Sequence, residues 1–424
     1  MLVSRLPSTL FRLLGGFRSS DSIFFKRNQS SFTPSKTGIT IHDLNNTTFP
    51  YIWLRDSCQS PSCIHPATKQ KLHRSSDIPL DVRPNGIRLN DQELEVDWAD
   101  GHKSVYSRSF LETYSGKKTL NEFHKDVDHI VWDNESIRRS ELFISYEEIG
   151  TPEGLLKGIT HLTKYGLLFV RGVPNEKTSN EECELKILGE KLGQIRPTFY
   201  GLLWDVVNLR DSKNIAYTNL DLGLHMDLLE FQYPPRYQVL HCLRNRVHGG
   251  TSLFVDALGA AETLRKTRPN YFDVLTKTPV AFHYINDGHH VHGEHPTIEL
   301  APPTTAIPLS SSQRPIVHIN YSPPFQAPLP LDTPMEFYPA LKEFSKLLND
   351  PDNAYEYTLK EGDAVLFDNR RVLHARTAFY DKEEDGQKLK EGEPNRWLKG
   401  CYLEADAIMD RGRVLRTKIE SGLV

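Results

Sequence analysis

Apolar positions recur along this chain in two rhythms. Between residues 38 and about 125, the runs TFPYIWL, DVRPNGIRLN and ELEVDWADGHKSVYS read as short strands, with Pro84-Asn85-Gly86 and Asp100-Gly101 as turn residues between them. A polar connector with some helical character, KKTLNEFHKDVDHIVWDNESIRRSEL, follows. From about 141, YEEIGTPEGLLKGITHLTKYG and NEECELKILGEKLGQI carry apolar residues at helical spacing and bracket a strand-like LLFVRGV. Past 215 the pattern turns to strands: YQVLHCL, TSLFVDA, PVAFHYI, RPIVHINY, YEYTLKEGDAVLFDN and WLKGCYLEA, interrupted by one helix, Pro339 to Leu348. Many short strands with turn signals predict an antiparallel sandwich or barrel with the early helices packed outside. The fold class expected is mainly β with flanking helices: a small β-rich N-terminal domain over 38–125 and a larger domain over 141–424.

Composition narrows the function classes. With 38% apolar and 25% charged residues the chain suits a folded soluble protein, and at net charge −4 it has no global field for nucleic acid or acidic lipid. Neither nucleic acid nor a membrane is therefore expected as a partner, and no apolar run approaches the ~20 residues of a membrane span. Cys58, Cys63, Cys183, Cys242 and Cys401 are too scattered for a disulfide framework, which points to a reducing compartment. The first 36 residues differ: Arg5, Arg12, Arg18, Lys26, Arg27 and Lys36, eight serines, and a single acid, Asp21. Leu10, Phe11, Leu13 and Leu14 beside Arg12 and Arg18 suit an amphipathic basic helix, so 1–36 reads as a mitochondrial transit peptide; the alternative is a basic tail without an address and a cytoplasmic protein.

The stretch GLHMDLLEFQYPP (223–235) carries the first candidate chemistry. On a strand, His225 and Asp227 project from one face and Met226 from the other. Imidazole and carboxylate with open positions left over suit a divalent iron site that needs one more His. His374, at the end of an apolar strand in GDAVLFDNRRVLHART, is the candidate third ligand.

These residues occur in a longer ordered series: YIWLRDSC, TFYGLLW, NIAYT, His-x-Asp, YPPRYQVLHCL, HGGTSLFVDA, FYPALKEF and FDNRRVLHAR. From about residue 48 onward the chain resembles the taurine dioxygenase-like Fe(II)/2-oxoglutarate oxygenases, and within them the γ-butyrobetaine dioxygenase group. The resemblance implies a double-stranded β-helix (jelly-roll) catalytic domain, Fe(II) held by His225, Asp227 and His374, and O2 and 2-oxoglutarate as cosubstrates. Ascorbate as reductant and a homodimer come with it. It also implies an arginine downstream of His374 on the distal carboxylate of 2-oxoglutarate, a role that a planar guanidinium fork fits. Arg396, in NRWLKGCY, is the first choice; Arg376 is nearer in sequence and shares a strand face with His374. The charged loop 381–394, DKEEDGQKLKEGEP, looks inserted between them. Ser252 falls where relatives place a hydroxyl near the same carboxylate.

The resemblance further implies hydroxylation of a small trimethylammonium substrate, γ-butyrobetaine to L-carnitine, with trimethyllysine the rival. A quaternary ammonium donates no hydrogen bond, so it is held by aromatic faces. Tyr200, Trp204, Tyr217 and Tyr402 coincide with the family's cage positions, and one helical turn would set Tyr200 beside Trp204. Asn214 matches the butyrobetaine branch, whereas Ser322 stands where the family often has a second Asn. In the small domain, Cys58, Cys63 and His102 resemble a structural zinc site, but Ser60 replaces its middle cysteine. His65 or His73 would have to complete the tetrahedral set, and the alternative is a metal-free domain with two buried thiols.

Overall fold

A computed structural model describes residues 31–207, 219–303, 310, 313–381 and 394–424. The basic leader falls mainly, and the loop 381–394 largely, outside the described residues, as do Asn214 and Tyr217. The chain divides into two compact units at His124 and Lys125. No helix among the described residues is long and apolar enough to cross a membrane.

The first unit holds two three-stranded antiparallel sheets, Phe32–Pro34, Gly38–Ile41 and Thr47–Pro50, then Pro84–Leu89, Glu93–Trp98 and Lys103–Ser107. Alternation in Glu93–Trp98 buries Leu94, Val96 and Trp98 against Ile39, Leu54 and Tyr106. Two expectations change here. TFPYIWL is a strand only to Pro50; Tyr51–Asp56 is helical, because Tyr51 and Leu54, three apart, bury one face. Pro84-Asn85-Gly86 is no turn but the bulged start of a strand, with its register slipping between Pro84 and Gly86.

The second unit is built on two facing sheets. The seven-stranded sheet runs, in spatial order, Trp204–Val207, Arg396–Leu403, Tyr237–Asn245, Ala364–Asp368, Leu167–Arg171 and Phe143–Ser145, with Ile195–Arg196 paired to Arg396–Leu403. The four-stranded sheet runs Leu222–His225, Val372–Arg376, Ser252–Asp256, Ala354–Tyr357. Phe169, Phe254, Phe367 and Val365 fill the space between them, each phenylalanine contributing about 2–3 kcal/mol by burial. The outer face of the larger sheet, including Tyr237 and Val239, packs on helices Pro152–Tyr165 and Glu184–Leu192. Thr151 caps the first of these through Gly154 N–H, and Gly166 ends it in the left-handed region.

The outer face of the smaller sheet is covered by Ala257–Thr267, Pro269–Lys277 and Phe337–Leu348. The pattern of the chain revealed only the last of these three. The first is set by Asp256 accepting from Leu258 N–H and by Ala257, Ala260, Ala261 and Leu264 on one buried face. Small alanines make that stripe weak on a hydropathy profile. Pro269 at the first position starts the second.

Candidate iron and cosubstrate site

Register across the smaller sheet sets His225 directly opposite His374, with ring centroids 4.2 Å apart. The strand ends at His225 and the chain continues to Asp227, whose backbone Asn369 clamps. Asp227 N–H donates to Asn369 Oδ1 (2.8 Å), and Asn369 Nδ2 donates to the Asp227 carbonyl (2.9 Å). Asp227 Oδ1 lies 3.4 Å from His225 Nε2 and Oδ2 lies 3.7 Å from His374 Nε2. One ligand atom from each of the three lies within 4.8 Å of the others. Met226 is fully buried in the core behind the sheet, pointing away as the alternation requires.

The donor atoms suit a divalent cation. His225 Nδ1 donates to the Gly223 carbonyl (2.9 Å), which turns its Nε2 toward Asp227. Burial, then the neighbouring His225, push His374 down to about 3 against the pull of Asp227, so its imidazole is neutral near pH 7. Burial raises the Asp227 carboxyl, but the His225 hydrogen bond and the two imidazoles outweigh it and hold it well below the carboxylate range. Two imidazoles and one carboxylate are the donor set that such a metal site uses.

Seven expected residues, His225, Asp227, His374, Ser252, Arg376, Arg396 and Trp204, line one cavity of about 70 Å³. Ser252 pairs with Arg376 across the smaller sheet, while Arg396 begins the strand on the larger one. The two guanidinium groups flank one ring, at 5.0 and 5.1 Å from the centroid of Phe379. Arg376 Nη2 donates to the Leu220 carbonyl at 2.6 Å. Arg396 is 5% exposed and its buried Nε has no hydrogen-bond partner among the described residues. Burial, then the charge of Arg376, push its guanidinium down to about 10. The Gly-Gly turn explains the close fit: a side chain on Gly250, itself at φ +68, would stand 3.1 Å from Arg396 Nε. These observations make a cradle that fits a carboxylate.

The expected aromatics also meet. Tyr200 and Trp204 have ring centroids 6.4 Å apart, and Trp204 and Tyr402 5.4 Å. They do so without a helical turn: Tyr200 sits in a turn closed by Thr198 and Gly201, and Trp204 opens a strand. Trp204 lies flat over the backbone of Gly400, where any side chain would come within 2.3 Å of the indole. The Tyr402 hydroxyl donates to Asp227 Oδ2 at 3.3 Å, tying the aromatic group to the metal ligands. Ser322 is buried with its hydroxyl unpartnered among the described residues. Gln238, opposite Tyr402 in register, lines the cavity and was not singled out from sequence; its only signal was an amide at an inward position of YQVLHCL.

In the N-terminal unit, Cys58, Cys63 and His102 do converge: His102 Nε2 is 3.2 Å from Cys58 Sγ and 3.5 Å from Cys63 Sγ. Ser60 Oγ lies beside the cluster, accepting a hydrogen bond from Cys58 Sγ at 3.3 Å. Neither His65 nor His73 completes the set. His65 Nδ1 accepts from the backbone of Ala67 and Thr68, and His73 Nε2 pairs with Asp56.

Comparison with known proteins agrees with this geometry. Residues 150–402 match the taurine catabolism dioxygenase TauD, TfdA family, and residues 33–112 match the gamma-butyrobetaine hydroxylase-like N-terminal family. The chain is 51% identical over 400 residues to dioxygenase str8 of Strobilurus tenacellus, covering 94% of this chain and 92% of that one. It is 31% identical over 372 residues to trimethyllysine dioxygenase, mitochondrial, of Homo sapiens, covering 87% and 82%. With human gamma-butyrobetaine dioxygenase it shares 28% over 395 residues, covering 90% and 94%.

Proposed function

The chain belongs to the taurine catabolism dioxygenase TauD, TfdA family, Fe(II)- and 2-oxoglutarate-dependent oxygenases, and from that premise we propose that it hydroxylates a small trimethylammonium acid, with γ-butyrobetaine, giving L-carnitine, as first candidate. The two facing sheets are read as the jelly-roll winding expected of such enzymes. His225, Asp227 and His374 would hold Fe(II), and Arg396, with Arg376 and Ser252 beside it, the distal carboxylate of 2-oxoglutarate. Bound Fe(II) and 2-oxoglutarate supply oxidation by O2, so that substrate C–H becomes C–OH as 2-oxoglutarate gives succinate and CO2. The chain itself does the positioning. Asn369 fixes Asp227, the Gly223 carbonyl orients the ring of His225, and Phe379 packs against both arginines.

The observation that carries the substrate class is the group Tyr200, Trp204 and Tyr402, whose last member touches Asp227. Each aromatic face contributes about 0.5–2 kcal/mol to holding a quaternary ammonium. Trimethyllysine is the second reading, because the relatives named for each substrate resemble this chain about equally and Asn214 lies outside the described residues. A related small acid is a third, and a non-catalytic jelly-roll binder, with no use for three metal ligands and a buried arginine together, is a fourth. A homodimer, ascorbate as reductant and a mitochondrial address for residues 1–36 belong to the same proposal. The test is to load the protein anaerobically with Fe(II) and 2-oxoglutarate, admit O2 with each compound, and score succinate and hydroxylated product. Product from trimethyllysine and none from γ-butyrobetaine overturns the first candidate.

A further inference from the structure

Two polar groups of the iron cavity are not yet used. Of the polar side chains that line it, His225, Asp227 and His374 are assigned to the metal, and Ser252, Arg376 and Arg396 to the cosubstrate carboxylate. Gln238 and Trp204 remain. Gln238 is 1% exposed, and its carboxamide Oε1 has no hydrogen-bond partner among the described residues. The indole Nε1 of Trp204 is buried and has none among them either. The other lining side chains, Val206, Leu222, Leu240, Ala375 and Leu398, are apolar and offer neither group a partner. Both residues stand at Tyr402: Gln238 is its register partner across the larger sheet, and the Trp204 and Tyr402 ring centroids are 5.4 Å apart. The Tyr402 hydroxyl is itself 3.3 Å from Asp227 Oδ2, at the other end of the strand from Arg396. The unused acceptor and the unused donor therefore lie on the metal side of the cavity, away from the cosubstrate arginines.

A buried donor or acceptor left unpaired is costly, and a fold keeps one where a ligand answers it. A quaternary ammonium neither donates nor accepts a hydrogen bond, and a carboxylate only accepts. The C–H bond that the reaction attacks does neither. A hydroxyl does both: its O–H donates to Gln238 Oε1 while its oxygen accepts from Trp204 Nε1. We propose that Gln238 and Trp204 are specificity residues that together recognise a hydroxyl, the one installed on the substrate carbon beside the metal; this rests on the hydroxylation of a trimethylammonium acid proposed above. Trp204 then serves twice, its ring face toward the ammonium and its N–H toward the new oxygen. The cavity so built holds the hydroxylated product more tightly than the substrate.

The test is anaerobic calorimetry on the protein loaded with Fe(II) and succinate, using ligands that differ by one hydroxyl. One pair is γ-butyrobetaine and L-carnitine; the other is butyrate and 3-hydroxybutyrate, which lack the ammonium. In wild type the hydroxylated member of a pair should bind about tenfold tighter or more. Gln238→Met keeps the length and removes the acceptor, and Trp204→Phe keeps an aromatic face and removes the donor. Each should cut that ratio by at least about threefold, with γ-butyrobetaine affinity unchanged in Gln238→Met. Affinity for 2-oxoglutarate, measured the same way, should hold in both variants. An unchanged ratio in Gln238→Met overturns the proposal, and so does a joint loss of 2-oxoglutarate binding, which marks a core role. If γ-butyrobetaine and L-carnitine bind equally well in all three proteins, the substrate reading stands and the hydroxyl pair falls. If only the butyrate pair binds and its ratio collapses in the variants, the hydroxyl pair stands and the trimethylammonium reading falls. Binding by neither pair overturns both.

Discussion

Replacing Arg396 by methionine should raise the stability of the cosubstrate-free protein and abolish its response to 2-oxoglutarate. The guanidinium is 5% exposed, has a buried Nε without a partner among the described residues, and packs with Arg376 on one phenylalanine. Burial and that second charge lower its pKa from the ordinary guanidinium value to about 10. The folded state therefore holds the charged form at a cost of about 3 kcal/mol relative to the unfolded chain. Because the folded pKa is depressed, this cost is fully present at neutral pH and is relieved only as pH rises through about 10. Methionine removes it while filling much of the same volume, so Tm without 2-oxoglutarate should rise by a few degrees, roughly 2 °C or less per kcal/mol at this chain length. Removing one partner of a buried ion pair costs about 3–5 kcal/mol, so affinity for 2-oxoglutarate should fall by roughly two to four orders of magnitude. Thermal melts with and without 2-oxoglutarate, and its KM, read both effects. A variant that melts lower and still gains stability from 2-oxoglutarate refutes the reasoning; Arg376 would then be the anchor and Arg396 a structural residue.

Three other outcomes follow from single contacts. Gly400→Ala would bring a methyl within 2.3 Å of the Trp204 indole and displace it, so the KM for the trimethylammonium substrate should rise about tenfold with the KM for 2-oxoglutarate unchanged; equal changes in both would show Trp204 to be plain core. Asn369→Ala removes the clamp on the Asp227 backbone and should weaken Fe(II) binding by roughly 10–100-fold in an anaerobic titration, whereas unchanged affinity would mean that the strand alone positions Asp227. Ser60→Cys supplies a third sulfur, and so a fourth ligand, beside Cys58, Cys63 and His102 and should bind zinc at least about tenfold tighter than wild type by chelator competition; identical affinities would remove the zinc reading of this cluster.

The two helices Pro152–Tyr165 and Glu184–Leu192 and the long strands were legible because their periodicities are strong, and the first helix also carries caps at both ends, Thr151 and Gly166. Tyr51–Asp56 was not, since its aromatic and aliphatic residues favour strands and only packing decides for helix. The Ala-rich helix after Asp256 was hidden for the opposite reason, its buried face being too small to register. In the site, His225 and Asp227 were meaningful only beside His374, whose position opposite His225 is a matter of strand register that no local pattern encodes. Tyr200, Trp204 and Tyr402 were anticipated together with Tyr217, which lies outside the described residues, and the helical turn expected between Tyr200 and Trp204 is instead a turn and a strand. Gln238 escaped because a polar residue in an apolar stretch gives no sign of whether it faces solvent or a cavity; its place in the cavity lining supplied that sign.

The central claim is that His225, Asp227 and His374 hold the iron that couples 2-oxoglutarate to substrate oxidation. It is tested most directly by iron content and substrate-stimulated succinate formation in wild type and His374→Ala, side by side. The account predicts about one Fe(II) per chain and substrate-stimulated succinate in the wild type, with both lost in the variant. A His374→Ala protein that still binds stoichiometric iron and still forms succinate in response to substrate would contradict it.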